Sequence, residues 1–125
     1  MRSEIGLAHV SDGSSSTYLV GEKFLRPAEY YLETNKADNE TMYAGFDNDN
    51  HRITYVPGNK QYLPPLLNTD AYSDGVSFGS PHPAALHFVF CDGSVHTISY
   101  GIDPEIHRRL STRNGNETID LSILQ

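Results

Sequence analysis

The pattern that decides the fold lies in residues 86–100, LHFVFCDGSVHTISY. Asp92-Gly93 separates two runs that are rich in β-branched and aromatic residues. An Asp-Gly pair between such runs is the strongest short-range hairpin signal, because both central residues of a type I′ turn need positive φ. We therefore predict an antiparallel hairpin with Asp92-Gly93 at its tip.

A two-residue turn also fixes which residues face each other across the hairpin. The predicted pairs are Cys91 with Ser94, Phe90 with Val95, and Phe88 with Thr97. Because side chains alternate along a strand, one face would carry four apolar residues and form the core side: Leu86, Phe88, Phe90 and Val95. His87 and His96 would share the other face. There they could bind zinc if a third ligand joined them, or lie half-exposed without a metal.

Two further segments have clear local patterns. Residues 11–16, SDGSSS, are typical of a turn, and the β-branched and aromatic residues that follow predict a strand over 17–24. Residues 103–115 predict a short surface helix with Asp103 as N-cap, Pro104 at the first helical position and Asn114-Gly115 at its end. We therefore expect an α+β fold: an antiparallel sheet with long loops and one or two short helices.

Size and charge exclude several classes of function. The chain has 125 residues and a net charge of −7, so we expect one domain over 1–125. A nucleic-acid partner is not expected, because binding to phosphates needs a basic surface. No apolar run is long enough to span a membrane, and Arg2 and Glu4 near Met1 do not resemble an export signal. Cys91 is the only cysteine, so it has no partner for an internal disulfide.

Acidic residues are concentrated in residues 28–75, which are rich in Tyr, Asn, Asp, Gly and Pro and show no regular period. We interpret this region as long, variable surface loops with short strands, such as residues 52–56. Asp47 and Asp49 open an Asp-Asn-Asp-Asn run that resembles the start of a calcium-binding loop. The run is not an EF-hand, because Arg52 and Gly58 stand where that loop has Gly and Glu. Asp47 and Asp49 are therefore candidate calcium ligands, with an ordinary solvated turn as the alternative.

Patterns typical of catalysis do not occur in the sequence. Ser14, Ser15 and Ser16 lie in a turn without the Gly-x-Ser-x-Gly elbow, and neither glycine-rich phosphate-binding motif is found. Cys91 precedes an aspartate and has no adjacent cation, which disfavours its thiolate form. We therefore predict that the chain is not an enzyme and has no cofactor, with calcium as the possible exception.

Two motifs together resemble those of a known family. His82, nine residues and then Asp92-Gly93 form a His-x9-Asp-Gly arrangement. Asp12-Gly13, followed by a strand that ends in Gly21-Glu22, is similar to the other motif of the same family. In chain order, the Asp12-Gly13 segment is the first motif and the His-x9-Asp-Gly arrangement is the second. This combination resembles the C-terminal domain of the bacterial prepilin-type H-X9-DG family, a domain of unknown function. A strand of nine or ten residues spans about 30 Å, so we do not expect His82 to touch Asp92.

The resemblance implies a structural role. It implies the globular head of a type IV pilin-like or pseudopilin-like protein, located in the periplasm or on the cell surface. The partners would be other pilin-like subunits or the secretion machinery. The apolar N-terminal helix of such proteins is missing from this sequence, so we expect a C-terminal part that would contact a membrane only through that helix. The alternative function is an extracellular module whose Tyr-rich acidic loops bind carbohydrate or calcium.

Overall fold

A three-stranded antiparallel sheet carries the core in the computed structural model, which describes residues 4–32, 34–71, 74–117 and 119–124. Its strands are β1 (Tyr18–Gly21), β6 (Ala85–Phe90) and β7 (Val95–Ser99), in the order β1-β6-β7. Helix α1 (Pro104–Leu110) follows β7 directly along the chain. The expected α+β class is therefore confirmed.

Short strand pairs and single turns connect these elements. β2 (Tyr55–Val56) pairs antiparallel with β3 (Gln61–Tyr62), while β4 (Leu66–Leu67) pairs parallel with β5 (Gly79–Ser80). Single 3-10 turns occur at Leu7–His9, Ser14–Ser16, Pro27–Glu29 and Leu121–Leu124. Within the described residues, no helix has the length and apolar character that crossing a membrane requires.

The core forms where the inner face of the sheet meets α1. Five buried apolar side chains make up this cluster: Leu86, Phe88, Phe90, Ile98 and Leu110. Tyr18 from β1 stacks on the Phe88 ring with 3.9 Å between the ring centroids. Asp103 caps the helix as predicted, because its Oδ1 accepts the N–H groups of Glu105 and Ile106 at 2.9 and 3.1 Å. Ile106 and Leu110, four residues apart in α1, both pack at this cluster, and Leu110 is fully buried.

The hairpin forms at the predicted place, but its predicted register is wrong by one residue. The observed pairs are Val89 with Val95, Phe88 with His96, and His87 with Thr97. The loop has three residues, because the Phe90 N–H donates to the Ser94 carbonyl at 2.9 Å. Gly93 has a φ of 87°, as in three-residue hairpin loops that end with a glycine bulge. Asp-Gly fits both loop lengths, and the three-residue loop is the one that forms.

The changed register corrects two predictions about the faces of the sheet. Val95 does not belong to the core side; it lies on the open face and is 65 % exposed, and Ile98 takes its place in the core. His87 and His96 lie on opposite faces, because His96 pairs with the buried Phe88 and its ring lies 4.4 Å from that of Phe90. A zinc site that uses both histidines is therefore excluded.

β1 is shorter than the predicted strand over 17–24. Its pairing with β6 shifts between Tyr18 and Val20, which leaves Leu19 as an extra residue. After Gly21 the chain leaves this sheet, and Lys23 forms an isolated bridge with Phe78. The segment that follows β1 therefore connects the main sheet to the β4–β5 pair.

Candidate functional site

One carboxylate and two imidazole rings meet where β1 ends. Glu22 Oε1 lies 3.4 Å from His82 Nε2, and Glu22 Oε2 lies 3.3 Å from His87 Nδ1. One nitrogen from each ring and one carboxylate oxygen all lie within 4.8 Å of one another. We call Glu22, His82 and His87 the His–Glu cluster.

The carboxylate of this cluster is held by groups on two different elements. The backbone N–H of His87, in β6, donates to Glu22 Oε2 at 2.6 Å. The Ser80 hydroxyl donates to Glu22 Oε1 at 3.3 Å and accepts the backbone N–H of His82 at 3.1 Å. Because Ser80 is buried at the end of β5, it ties the His82 loop and the carboxylate to the same fixed point.

The loop that carries His82 has a second support. The Tyr100 hydroxyl contacts the carbonyl oxygens of Ser80 and His82 at 3.2 and 2.7 Å and donates its proton to one of them. The rings of His82 and His87 pack edge to face with 5.5 Å between their centroids. The side chains of His82, His87 and Glu22 are 56, 48 and 32 % exposed, so the cluster is open to solvent. Such a set of groups can hold a metal ion or share a proton.

Asp12, in the first motif, has a structural role. Asp12 is buried, and its two carboxylate oxygens accept the N–H groups of Gly115 and Asn116 at 2.7 and 2.8 Å. Burial would raise the pKa of Asp12, but these backbone N–H groups and the Thr112 hydroxyl outweigh it and hold the pKa below its usual range. Asp12 is therefore ionised, and as a buried hydrogen-bond acceptor it fixes the loop that follows α1.

Two glycines of the motifs are required by local geometry. A Cβ on Gly21 would overlap the Phe88 ring and lie 2.9 Å from the Phe78 ring, so close packing of the two aromatic rings on β1 requires glycine there. Gly13 has a φ of 99° at the start of the Ser14–Ser16 turn.

The second motif is divided between the two ends of β6. Asp92 lies at the hairpin tip, where its Oδ1 accepts the N–H of Ser94 at 2.9 Å. The tip packs on the first motif, because the N–H groups of Cys91 and Asp92 donate to the carbonyls of Thr17 and Ser14 at 2.9 and 3.0 Å. His82 lies before β6 and binds Glu22 instead. The expected separation of His82 from Asp92 is thus observed.

A family model with the description "Protein of unknown function (DUF1559)" matches residues 1–105. The chain belongs to this family. No curated protein and no solved structure shows significant similarity to it.

The candidate calcium ligands of this DUF1559 domain are engaged with the protein's own backbone. Asp49 Oδ1 accepts the N–H groups of Asn39 and Glu40 at 2.6 and 2.8 Å, and Asp47 Oδ1 accepts the N–H of Asp49 at 3.2 Å. The Glu40 N–H is the main reason why the pKa of Asp49 lies below its usual range. These contacts tie two loops together, and calcium binding there stays a prediction.

Helix α1 also carries a buried histidine that the sequence patterns did not indicate. His107 in α1 is fully buried, and its Nδ1 shares a hydrogen bond with the Tyr18 hydroxyl at 3.2 Å. Burial lowers the pKa of His107 to about 4 and raises that of Tyr18. Because solvent does not reach His107, this residue contributes to the packing of the core.

The two motifs include Glu22 and His82, whereas His87 was considered as a metal ligand only together with His96. Glu22 and His87 lie 65 positions apart, and they meet because Gly21 pairs with Phe88 across β1 and β6. Only the pairing of these two strands brings the residues together, and no local pattern encodes that pairing.

Proposed function

We propose that this domain is the structural, non-enzymatic head of a pilin-like or pseudopilin-like protein, exposed in the periplasm or on the cell surface. It would contact other pilin-like subunits or the secretion machinery. This proposal joins the DUF1559 membership with the more specific resemblance of the two motifs to the H-X9-DG group.

The open face of the main sheet is the observation that carries the proposal. Val20 pairs with Val89 and Val89 with Val95, so the three valines form a row across β1, β6 and β7 on the side away from the core. Val20 and Val95 are 61 and 65 % exposed. Burying apolar surface of this kind favours association, and an exposed row across a whole sheet is typical of an interaction surface.

The engagement of the motif residues supports a structural role. Asp12 holds a loop, Gly21 admits two aromatic rings, and Asp92-Gly93 closes the hairpin. The backbone carbonyl of Ser14 accepts the Asp92 N–H at 3.0 Å, which joins the Ser14–Ser16 turn to the hairpin tip. Each of these residues stabilises a part of the domain, which supports a structural role.

Site-directed crosslinking in the native bacterium tests the proposal. The gene would carry Cys91→Ser together with Val95→Cys, so that the open sheet face holds the only cysteine of this domain. A bifunctional maleimide added to intact cells should link copies of the protein or link it to a secretion component. A matched variant with Cys91→Ser and Lys36→Cys, on an exposed loop, should be labelled by an impermeant maleimide without such crosslinks. Labelling of either variant only after lysis, or equal crosslinking of both, would contradict the proposal.

Exposed aromatic side chains in the loops favour one alternative function, a module that binds carbohydrate. Tyr31, Tyr43 and Phe46 are 96, 87 and 90 % exposed, and large exposed rings offer apolar surface to a ligand. Retention of the domain on immobilised polysaccharides would support this function. Tyr43→Ala and Phe46→Ala should then abolish retention, while Val95→Ser should not.

A further inference from the structure

We propose that Glu22, His82 and His87 form a binding site for a divalent first-row transition-metal ion. The inference is independent of the structural role proposed above. It rests on three residues from separate parts of the chain whose donor atoms converge within 4.8 Å.

The donor atoms decide the class of metal. Imidazole nitrogen binds zinc, copper, nickel and iron well, while calcium and magnesium prefer sites made entirely of oxygen. Two imidazoles and one carboxylate are also the protein ligands of several metal sites that leave open positions for water. The cluster therefore favours an ion of the zinc type over calcium, in contrast to the Asp47–Asp49 loop.

The separations fit a single small ion. Zinc binds His nitrogen and carboxylate oxygen at about 2.0–2.2 Å, so two ligands of a tetrahedral ion lie about 3.3 Å apart. His82 Nε2 lies 3.4 Å from Glu22 Oε1, and His87 Nδ1 lies 3.3 Å from Glu22 Oε2. Small side-chain rotations of the two half-exposed histidines would bring both nitrogens to an ion on the carboxylate.

The protein holds the ligands in place before any ion arrives. His87 lies within β6, between β1 and β7, and its backbone N–H holds the Glu22 carboxylate at 2.6 Å. Ser80 and Tyr100 hold the loop that presents His82. Ligands on ordered elements lose little conformational freedom on binding, which favours affinity. The exposed side of the cluster leaves room for water or a further donor.

Titration of the metal-free chain with Zn²⁺ and Co²⁺ tests the site. The protein must carry no histidine tag, and calorimetry should show one Zn²⁺ per chain. Tetrahedral Co²⁺ should give visible absorption that Zn²⁺ abolishes and that Ca²⁺ and Mg²⁺ leave unchanged. His82→Gln and His87→Gln should each weaken binding at least tenfold. His51→Gln is the matched control, an exposed histidine outside the cluster, and it should not change the affinity.

A measurement on the unaltered chain keeps the test independent of whether the variants fold. Nuclear magnetic resonance of histidine ring nitrogens should show Co²⁺-induced broadening or shifts centred on His82 and His87, with His51 and His107 unaffected. Failure of the folded chain to bind Zn²⁺ would overturn the proposal. Binding that survives in both folded His→Gln variants, or resonance changes centred on other histidines, would also overturn it.

Discussion

The main sheet with its helix and the loop region of residues 28–75 are stabilised by different interactions. The buried cluster of the sheet and helix is apolar: Leu86, Phe88, Phe90, Ile98 and Leu110. In residues 28–75, buried polar side chains such as Asn35 and Asp49 accept backbone N–H groups from the same region. Apolar burial is shared among many neighbours, whereas each polar contact acts locally. We therefore expect large stability losses from changes in the sheet and small ones from changes in the loops.

Truncation of one phenylalanine in each region should show this contrast most strongly. Phe88→Ala removes a buried ring that packs against Tyr18 and Phe78, so we expect the free energy of unfolding to fall by about 3–5 kcal/mol. Phe46→Ala, at an exposed ring, should change it by less than about 0.5 kcal/mol. Urea unfolding followed by circular dichroism measures both values. Equal losses would show that the loop region stabilises the fold as strongly as the core does.

Acid should weaken the sheet–helix core through His107. Its pKa is about 4 in the folded protein and about 6.5 when unfolded, so the unfolded state takes up the proton first as the pH falls. The stabilising contribution of neutral His107 is complete above pH 6.5 and falls by about 3 kcal/mol at pH 4. Urea midpoints between pH 7 and pH 4 measure this loss. His107→Leu should flatten the dependence in this range, and the exposed His51→Leu should preserve it.

Removal of a carboxylate distinguishes a buried acceptor from an exposed one. Asp12→Ala removes a buried carboxylate that accepts the N–H groups of Gly115 and Asn116, which should cost about 2–3 kcal/mol. Asp70→Ala removes an exposed acceptor of the Ala28 N–H, which water can replace, so its cost should stay below about 1 kcal/mol. Thermal and urea unfolding measure both changes. A larger loss in Asp70→Ala would reverse the proposed contrast between the regions.

The smallest expected effect concerns the hairpin loop. Gly93 has a φ of 87°, and a side chain there would meet no atom within 4 Å, so Gly93→Ala tests the backbone alone. We expect a loss of about 1 kcal/mol, because alanine disfavours positive φ. Gly58 in the loop region also has open space around it but no positive φ, and Gly58→Ala should be nearly neutral. Identical midpoints for the two variants would show that the loop adapts without strain.

Local patterns allowed much of the fold to be predicted, and long-range pairing accounts for the rest. The hairpin tip and the Asp103 cap depend on neighbouring residues, so both were identified correctly. The register was wrong because Asp92-Gly93 is compatible with loops of two and of three residues. The parallel pairing of β4 with β5 had no local signal. The same limit applied to the candidate site, where Glu22 and His87 meet only after β1 has paired with β6.

The pairing of β1 with β6 also sets the timing of folding during synthesis. Tyr18 pairs with Phe90, so β1 has no partner strand until β6 has been made as well. At about 5–20 residues per second, the ribosome adds the residues between them in roughly 4–14 s. During this time the apolar residues of β1 stay accessible to chaperones, and the nascent chain cannot complete its main sheet. The main sheet therefore forms late in the synthesis of this domain.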